Sequence, residues 1–130
     1  MSDGLEVGAT NELVVEDLDR REFVRYAGAS GDFNPIHYDD SVAERAGHDE
    51  VFGQGMLVAG IASDLITDWV GIDRLVGFRV RFVGQVWPGD TVVISGEVTE
   101  LTEEGRAEIN VIAESDDGET LITGEATVER

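Results

Sequence analysis

Tyr26-Ala27-Gly28-Ala29-Ser30-Gly31-Asp32-Phe33-Asn34-Pro35-Ile36-His37-Tyr38-Asp39 is the stretch on which the reading of this chain turns. An apolar helical pattern runs into Ser30-Gly31 and cannot continue past it. Gly31 is free to take a left-handed backbone, while Pro35 fixes its own φ and pushes Asn34 out of the helical region. Between these two brakes stand a carboxylate and an amide, and an imidazole follows the proline. The segment reads as a rigid, non-repetitive turn holding Asp32 and His37 in one small volume. That is a way to build an acid/base pair.

Upstream, Leu13-Val14-Val15 ends a first strand, and Asp19 before Arg20-Arg21-Glu22 has capping-box spacing. Phe23, Tyr26, Ala27 and Ser30 recur at helical intervals and mark one face. Downstream, Asp40 or Ser41 caps a short helix over Val42–Ala46 that Gly47 closes. His48-Asp49-Glu50 is polar and reads as solvated. Met56 to Val70 is the most apolar segment: Leu57, Val58, Ile61, Ala62, Leu65, Ile66 and Trp69 cover more than half the helix circumference. Such a helix has to be largely surrounded by other elements. Gly60 within it is expected to let the backbone approach a sheet closely.

From Leu75 the period changes to two. Phe78, Val80 and Phe82 alternate with Arg79, Arg81 and Val83, and Pro88-Gly89-Asp90 marks a turn. Val92, Ile94, Gly96 and Val98 follow, then Ala107, Ile109, Val111 and Ala113, and Asp116-Asp117-Gly118 signals a hairpin before the last strand. Helices followed by an antiparallel meander of four strands predict an α+β architecture, one long helix against one curled sheet. Its edges invite pairing with a second copy.

The 130 residues, 42% of them hydrophobic, predict a single domain over 1–130 with a substantial core. There is no apolar run of membrane-spanning length and no cysteine, and Met1-Ser2-Asp3-Gly4 lacks the character of a signal peptide. A cytoplasmic protein is expected. The formal net charge is −19, with 28 acidic residues against nine basic ones, all of them arginine. Acids spread along the whole chain suggest a surface adapted to concentrated salt, as in a halophile. They also weigh against nucleic acid or an anionic membrane as a partner.

Ser30-Gly31-Asp32-Phe33-Asn34-Pro35-Ile36-His37 resembles the hydratase motif of the MaoC-like dehydratases, the (R)-specific enoyl-CoA hydratases. Gly55-Met56-Leu57 resembles the family's entry to its central helix, and Arg81-Phe82 with Val86-Trp87-Pro88-Gly89-Asp90 its strand and turn, so the resemblance spans nearly the whole chain. It implies a hot-dog fold, a curled antiparallel five-stranded sheet wrapped around a long helix, with two copies forming a homodimer. It also implies reversible hydration of trans-2-enoyl-CoA to (R)-3-hydroxyacyl-CoA, with CoA belonging to the substrate and no separate cofactor. Carried over by residue, Asp32 and His37 form the acid/base pair, Asn34 supports turn and pocket, and the Gly55 N–H meets the thioester oxygen. No metal is implied, and the residues offer no ligand cluster for one.

Two positions depart from the pattern: Gln54 stands where many members carry His, and Gly84-Gln85 replaces a basic-Pro pair. Contacts to the CoA phosphates therefore do not transfer, and Arg74, Arg79, Arg81 and Arg106 are the open candidates. An isolated Asp beside an isolated His is ordinarily a surface pair. The Gly and Pro brakes, with Gly55 and the Pro88-Gly89-Asp90 turn, move the reading to function. Asn34 alone reads as an Asx-turn residue, and Trp69 and Trp87 as packing. Acyl-carrier-protein substrates, a hot-dog thioesterase and a non-catalytic subunit of a hetero-oligomeric dehydratase are the competing functions.

Overall fold

Residues 5–130 are described here from a computed structural model. Met1, Ser2, Asp3 and Gly4, on which the signal-peptide expectation rests, lie outside them. Strand β1 spans Thr10–Leu18, and helices follow at Arg20–Ser30 (α1), Asp40–Arg45 (α2) and Gly55–Val70 (α3). Strands β2 (Leu75–Phe82), β3 (Asp90–Leu101), β4 (Arg106–Ser115) and β5 (Thr120–Glu129) complete the order.

The five strands form one antiparallel sheet in the order β1-β3-β4-β5-β2. The expected meander of four is therefore one of three, β3-β4-β5, with β1 added beside β3 and β2 beside β5. A tight Trp87–Asp90 turn carries Pro88 and Gly89 at its centre, the Asp90 N–H donating to the Trp87 carbonyl at 3.0 Å. It leads from β2 into a strand on the far side of the sheet rather than into a hairpin. The edges are consequently β1 and β2, and β5 lies inside the sheet.

Alternation on β3 and β4 puts Val92, Ile94, Val98, Ala107, Ile109, Val111 and Ala113 at 0% exposure, all against the core. Helix α3 contacts every strand and fills the hollow of the sheet with Val58, Ala59, Ala62, Leu65 and Ile66. This is the hot-dog arrangement. The close approach of helix and sheet is made from the opposite side to the one expected. A Cβ on Gly60 meets nothing within 4 Å, whereas one on Gly96 of β3 lies 3.1 Å from Leu65 and 3.3 Å from Trp69. The sheet glycine, not the helix glycine, makes the room.

Asp19 caps α1 by accepting from the Arg21 N–H at 3.0 Å, and Phe23 and Ala27 bury its inner face. Glu22 does not close a capping box; its carboxylate takes the Arg25 guanidinium at 3.2 Å. The cap of α2 is Asp39, one residue before the expected candidates, since its side chain accepts from both the amide and the hydroxyl of Ser41.

Candidate active site

Helix α1 ends where the sequence stops it. Gly31 takes a left-handed φ of +79° and returns its N–H to the Ala27 carbonyl at 2.9 Å. The next residues form a chain of local bonds: Asp32 N–H to the Ser30 hydroxyl (3.1 Å), Asn34 N–H to Asp32 Oδ1 (3.3 Å) and Ile36 N–H to Asn34 Oδ1 (3.2 Å). A 3₁₀ turn over Pro35–His37 then swings the imidazole inward. The turn is rigid because each side-chain oxygen satisfies the backbone two residues on.

The consequence is a defined pair. Asp32 Oδ2 lies 3.7 Å from His37 Nε2, with the aspartate side chain 45% exposed and the histidine side chain 10%. The other ring nitrogen, Nδ1, is 2.8 Å from the Phe52 carbonyl. A carbonyl oxygen only accepts, so Nδ1 carries the proton in the neutral ring and Nε2 presents its lone pair toward Asp32. The 3.7 Å gap is too long for a direct hydrogen bond and leaves both groups able to reach one shared oxygen.

Asp32 opens onto a cavity of about 350 Å³. Phe52, Gly53, Gly55, Met56 and Val58 line one side of it, and Phe82, Gly84, Gln85, Val86, Leu121 and Ile122 the other. Gly55 is the first residue of α3, where the leading N–H has no preceding turn to donate to and the helix dipole favours negative charge. A Cβ there would stand 3.0 Å from the Phe82 ring, so the glycine also sets the width of the mouth. Gly53 is more constrained, its absent Cβ lying 2.5 Å from Val86 and 2.7 Å from Phe23.

Asp32 and Gly55 thus share one cavity, while His37 reaches it only through Asp32 and is not itself among the lining residues. Asn34 serves as the cap of the 3₁₀ turn and is not among the cavity-lining residues. Gln54 does not shape the rim; it is 1% exposed and donates from Nε2 to the Phe23 carbonyl at 2.8 Å. His48 is not solvated either, being half-buried with its ring 5.0 Å from that of Phe52. None of Arg74, Arg79, Arg81 and Arg106 lines the cavity, and Arg79 and Arg106 lie against Glu125 (3.0 Å) and Glu129 (3.8 Å). Sequence alone does not mark the Phe52 carbonyl as a partner of His37, nor Val58, Leu121 and Ile122 as cavity walls. Only the apolar run and the strand alternation hint at the latter. Among the described residues there is no cluster fit to hold a metal, and no helix is long and apolar enough to cross a membrane.

Comparison with known proteins covers nearly the whole chain. The profile of the MaoC like domain matches residues 4–119. The (R)-specific enoyl-CoA hydratase of Aeromonas caviae is 31% identical over 132 residues, covering 95% of this chain and 94% of that one. The peroxisomal hydratase-dehydrogenase-epimerase of Neurospora crassa is 30% identical over 115 residues, 88% of this chain but only 12% of the fungal protein's length. The solved structure described as the (R)-hydratase from A. caviae involved in PHA biosynthesis superposes with a TM-score of 0.89 at 30% identity, over 98% of each chain.

Proposed function

Because the chain belongs to the MaoC-like domain family of hydratases and dehydratases, we propose that it reversibly hydrates trans-2-enoyl-CoA to (R)-3-hydroxyacyl-CoA. The observation that carries this reading is the pairing of a His37 Nε2 lone pair with Asp32 Oδ2 across 3.7 Å, beside a cavity that Asp32 and Gly55 share.

A water molecule placed between Nε2 and Oδ2 loses its proton to the pair as its oxygen bonds to C3 of the enoyl thioester. The C2–C3 π electrons move toward the carbonyl, leaving an enolate whose oxygen bears the charge. The Gly55 N–H at the start of α3 receives that oxygen, and the helix dipole adds to the attraction. A proton returned by the pair to C2 completes the addition, and the reverse sequence is dehydration. Positioned acid/base groups typically contribute about 10²–10⁴ in rate. The thioester reaches the site through the open mouth by Met56 and Phe82, and the apolar walls of Val58, Leu121 and Ile122 take the acyl chain. Two copies would join as a homodimer through the unpaired sheet edges at β1 and β2, leaving that mouth open.

Crotonyl-CoA in high salt is the decisive substrate. Loss of the enoyl absorbance is expected for the parent, with decreases of at least about 10²-fold in Asp32→Asn and His37→Gln. Release of free CoA would indicate a thioesterase instead, and an inert parent a non-catalytic subunit.

A further inference from the structure

Phe52 connects the imidazole to two side chains that the proposed reaction does not use. Its carbonyl takes the His37 Nδ1–H at 2.8 Å, and at the other end of the same peptide unit the Gly53 N–H donates to the Val86 carbonyl at 2.8 Å. The peptide plane is therefore pinned on both sides, and the two bonds polarise one another through it.

The Phe52 ring is held as well. It meets the His37 ring edge-on at 5.4 Å, the His48 ring at 5.0 Å and 67°, and the Trp87 ring at 5.9 Å and 73°. His48 and Trp87 also meet each other, at 6.2 Å. The three contacts of the Phe52 ring have the separations and tilts of favourable edge-to-face pairs. His48 is tethered to the end of α2 by its N–H, which donates to the Ala43 carbonyl at 2.9 Å. Trp87 adjoins Val86, so the same dipeptide holds Phe52–Gly53 once through backbone and once through a ring.

We infer that His48 is a positioning residue for His37, acting through Phe52. With Trp87 it closes a cage around the Phe52 ring, and the caged residue keeps its carbonyl aimed at Nδ1. That aim selects the neutral tautomer whose Nε2 lone pair faces Asp32. The opposite tautomer turns a lone pair toward a carbonyl oxygen and fills the side facing Asp32 with an N–H, which cannot take a proton from water. The inference rests on the reading of His37 as an acid/base group.

The chain has two histidines, so any His48 variant leaves a single imidazole whose tautomer is assigned without ambiguity from long-range ¹⁵N–¹H spectra. The parent is expected to show the Nδ1–H form of His37. His48→Ala should show a mixture of both tautomers, with kcat on crotonyl-CoA lower by about tenfold, short of the hundredfold that a misplaced reacting group can cost, and KM within about twofold. His48→Phe, which restores a ring against Phe52, should return both readings to those of the parent. Should His48→Ala fail to fold, His48→Leu fills the volume without a ring and carries the same expectation. An undisturbed Nδ1–H signature in the ring-less variant, or equal losses with and without a ring, would overturn the assignment. The tautomer is read without turnover. If His37→Gln remained active while the spectra behaved as expected, the acid/base reading would fail and the positioning would stand.

Discussion

Gln54 hands its Nε2–H to the Phe23 carbonyl at 2.8 Å, and the residue after it is the glycine that opens α3. This bond ties the start of the central helix to the helix that delivers Asp32. The other half of the amide, Oε1, is buried without a partner among the described residues. A buried unsatisfied acceptor costs about 1–3 kcal/mol, which offsets the gain from the Nε2 bond. Gln54→Met keeps the volume and removes both halves, so chemical denaturation should show a stability change within about 1 kcal/mol. Gln54→Ala adds a cavity and should lose about 2–4 kcal/mol. In both, kcat/KM should fall by about tenfold because the Gly55 N–H loses its reference to α1. Parent-like activity in Gln54→Met would show that the amide is packing alone.

The two glycines between α3 and the sheet should respond oppositely to substitution. Gly60→Ala meets open space and gains helix propensity, so it should stabilise by up to about 1 kcal/mol. Gly96→Val has to displace Leu65 and Trp69 and should destabilise by about 1–3 kcal/mol. Calorimetric melting of both variants checks the sign. A destabilised Gly60→Ala would mean that something outside this chain, such as a second copy, already occupies that face.

Gly55→Ala tests the mouth of the site. The added methyl stands 3.0 Å from two atoms of the Phe82 ring, and that residue, 49% exposed, can swing away. The fold should therefore hold to within about 1 kcal/mol while kcat/KM falls by about tenfold, since the methyl shields the N–H that receives the developing charge. Circular dichroism melts beside crotonyl-CoA kinetics separate the two effects. A loss confined to stability would remove Gly55 from the reaction.

Much of this was legible in the chain because the signals are local. Gly31 and Pro35 announce the turn, the α3 run announces a surrounded helix, and period-two alternation announces which strand faces are buried. What was not legible is non-local. The place of β2 depends on which strand its edge meets after the Trp87–Asp90 turn, and alternation is silent on partners. His48 reads as solvated beside Asp49 and Glu50, yet Trp87, from a distant segment, closes over it together with the nearby Phe52. The room for α3 comes from Gly96, whose packing partners lie about thirty residues away in the chain, while the more conspicuous Gly60 faces away.

Acid should act on the junction of α1 with the α2 region. Asp40 accepts from the Arg20 guanidinium at 2.9 Å and from the Val51 N–H at 3.2 Å. These two bonds, the Arg20 one foremost, hold its carboxyl below the usual carboxylate range. Hydrogen bonds from Ser41 do the same for Asp39, and from Ser115 and the Glu119 amide for Asp117. A carboxyl depressed in the folded state takes its proton at higher pH when unfolded. Its contribution is therefore complete above about pH 4 and is lost as pH falls through the folded value. Melting temperature should hold steady from about pH 7 to pH 5 and drop below about pH 4, with a shallower drop in Asp40→Asn. Because the pair is exposed, the difference should shrink in 1 M KCl, where screening acts over about 3 Å. An unchanged acid limb in Asp40→Asn would place the acid sensitivity elsewhere.

Salt should act on both stability and substrate capture, and for the same reason. A formal charge of −19 makes the folded chain repel itself and also repel the phosphates of a CoA thioester. Raising KCl from about 0.1 M to about 1 M shortens the screening length from about 10 Å to about 3 Å, so both repulsions collapse over the same interval. Melting temperature should rise through this range, and KM for crotonyl-CoA should fall several-fold with little change in kcat. The crotonyl thioester of pantetheine, which lacks the phosphates, separates the two causes. Its KM should stay level wherever the protein is fully folded, because screening then has no substrate charge to act upon. If both substrates improved in parallel, salt would be completing the fold rather than admitting the anion, and a KM for crotonyl-CoA that climbed with KCl would exclude the repulsion outright.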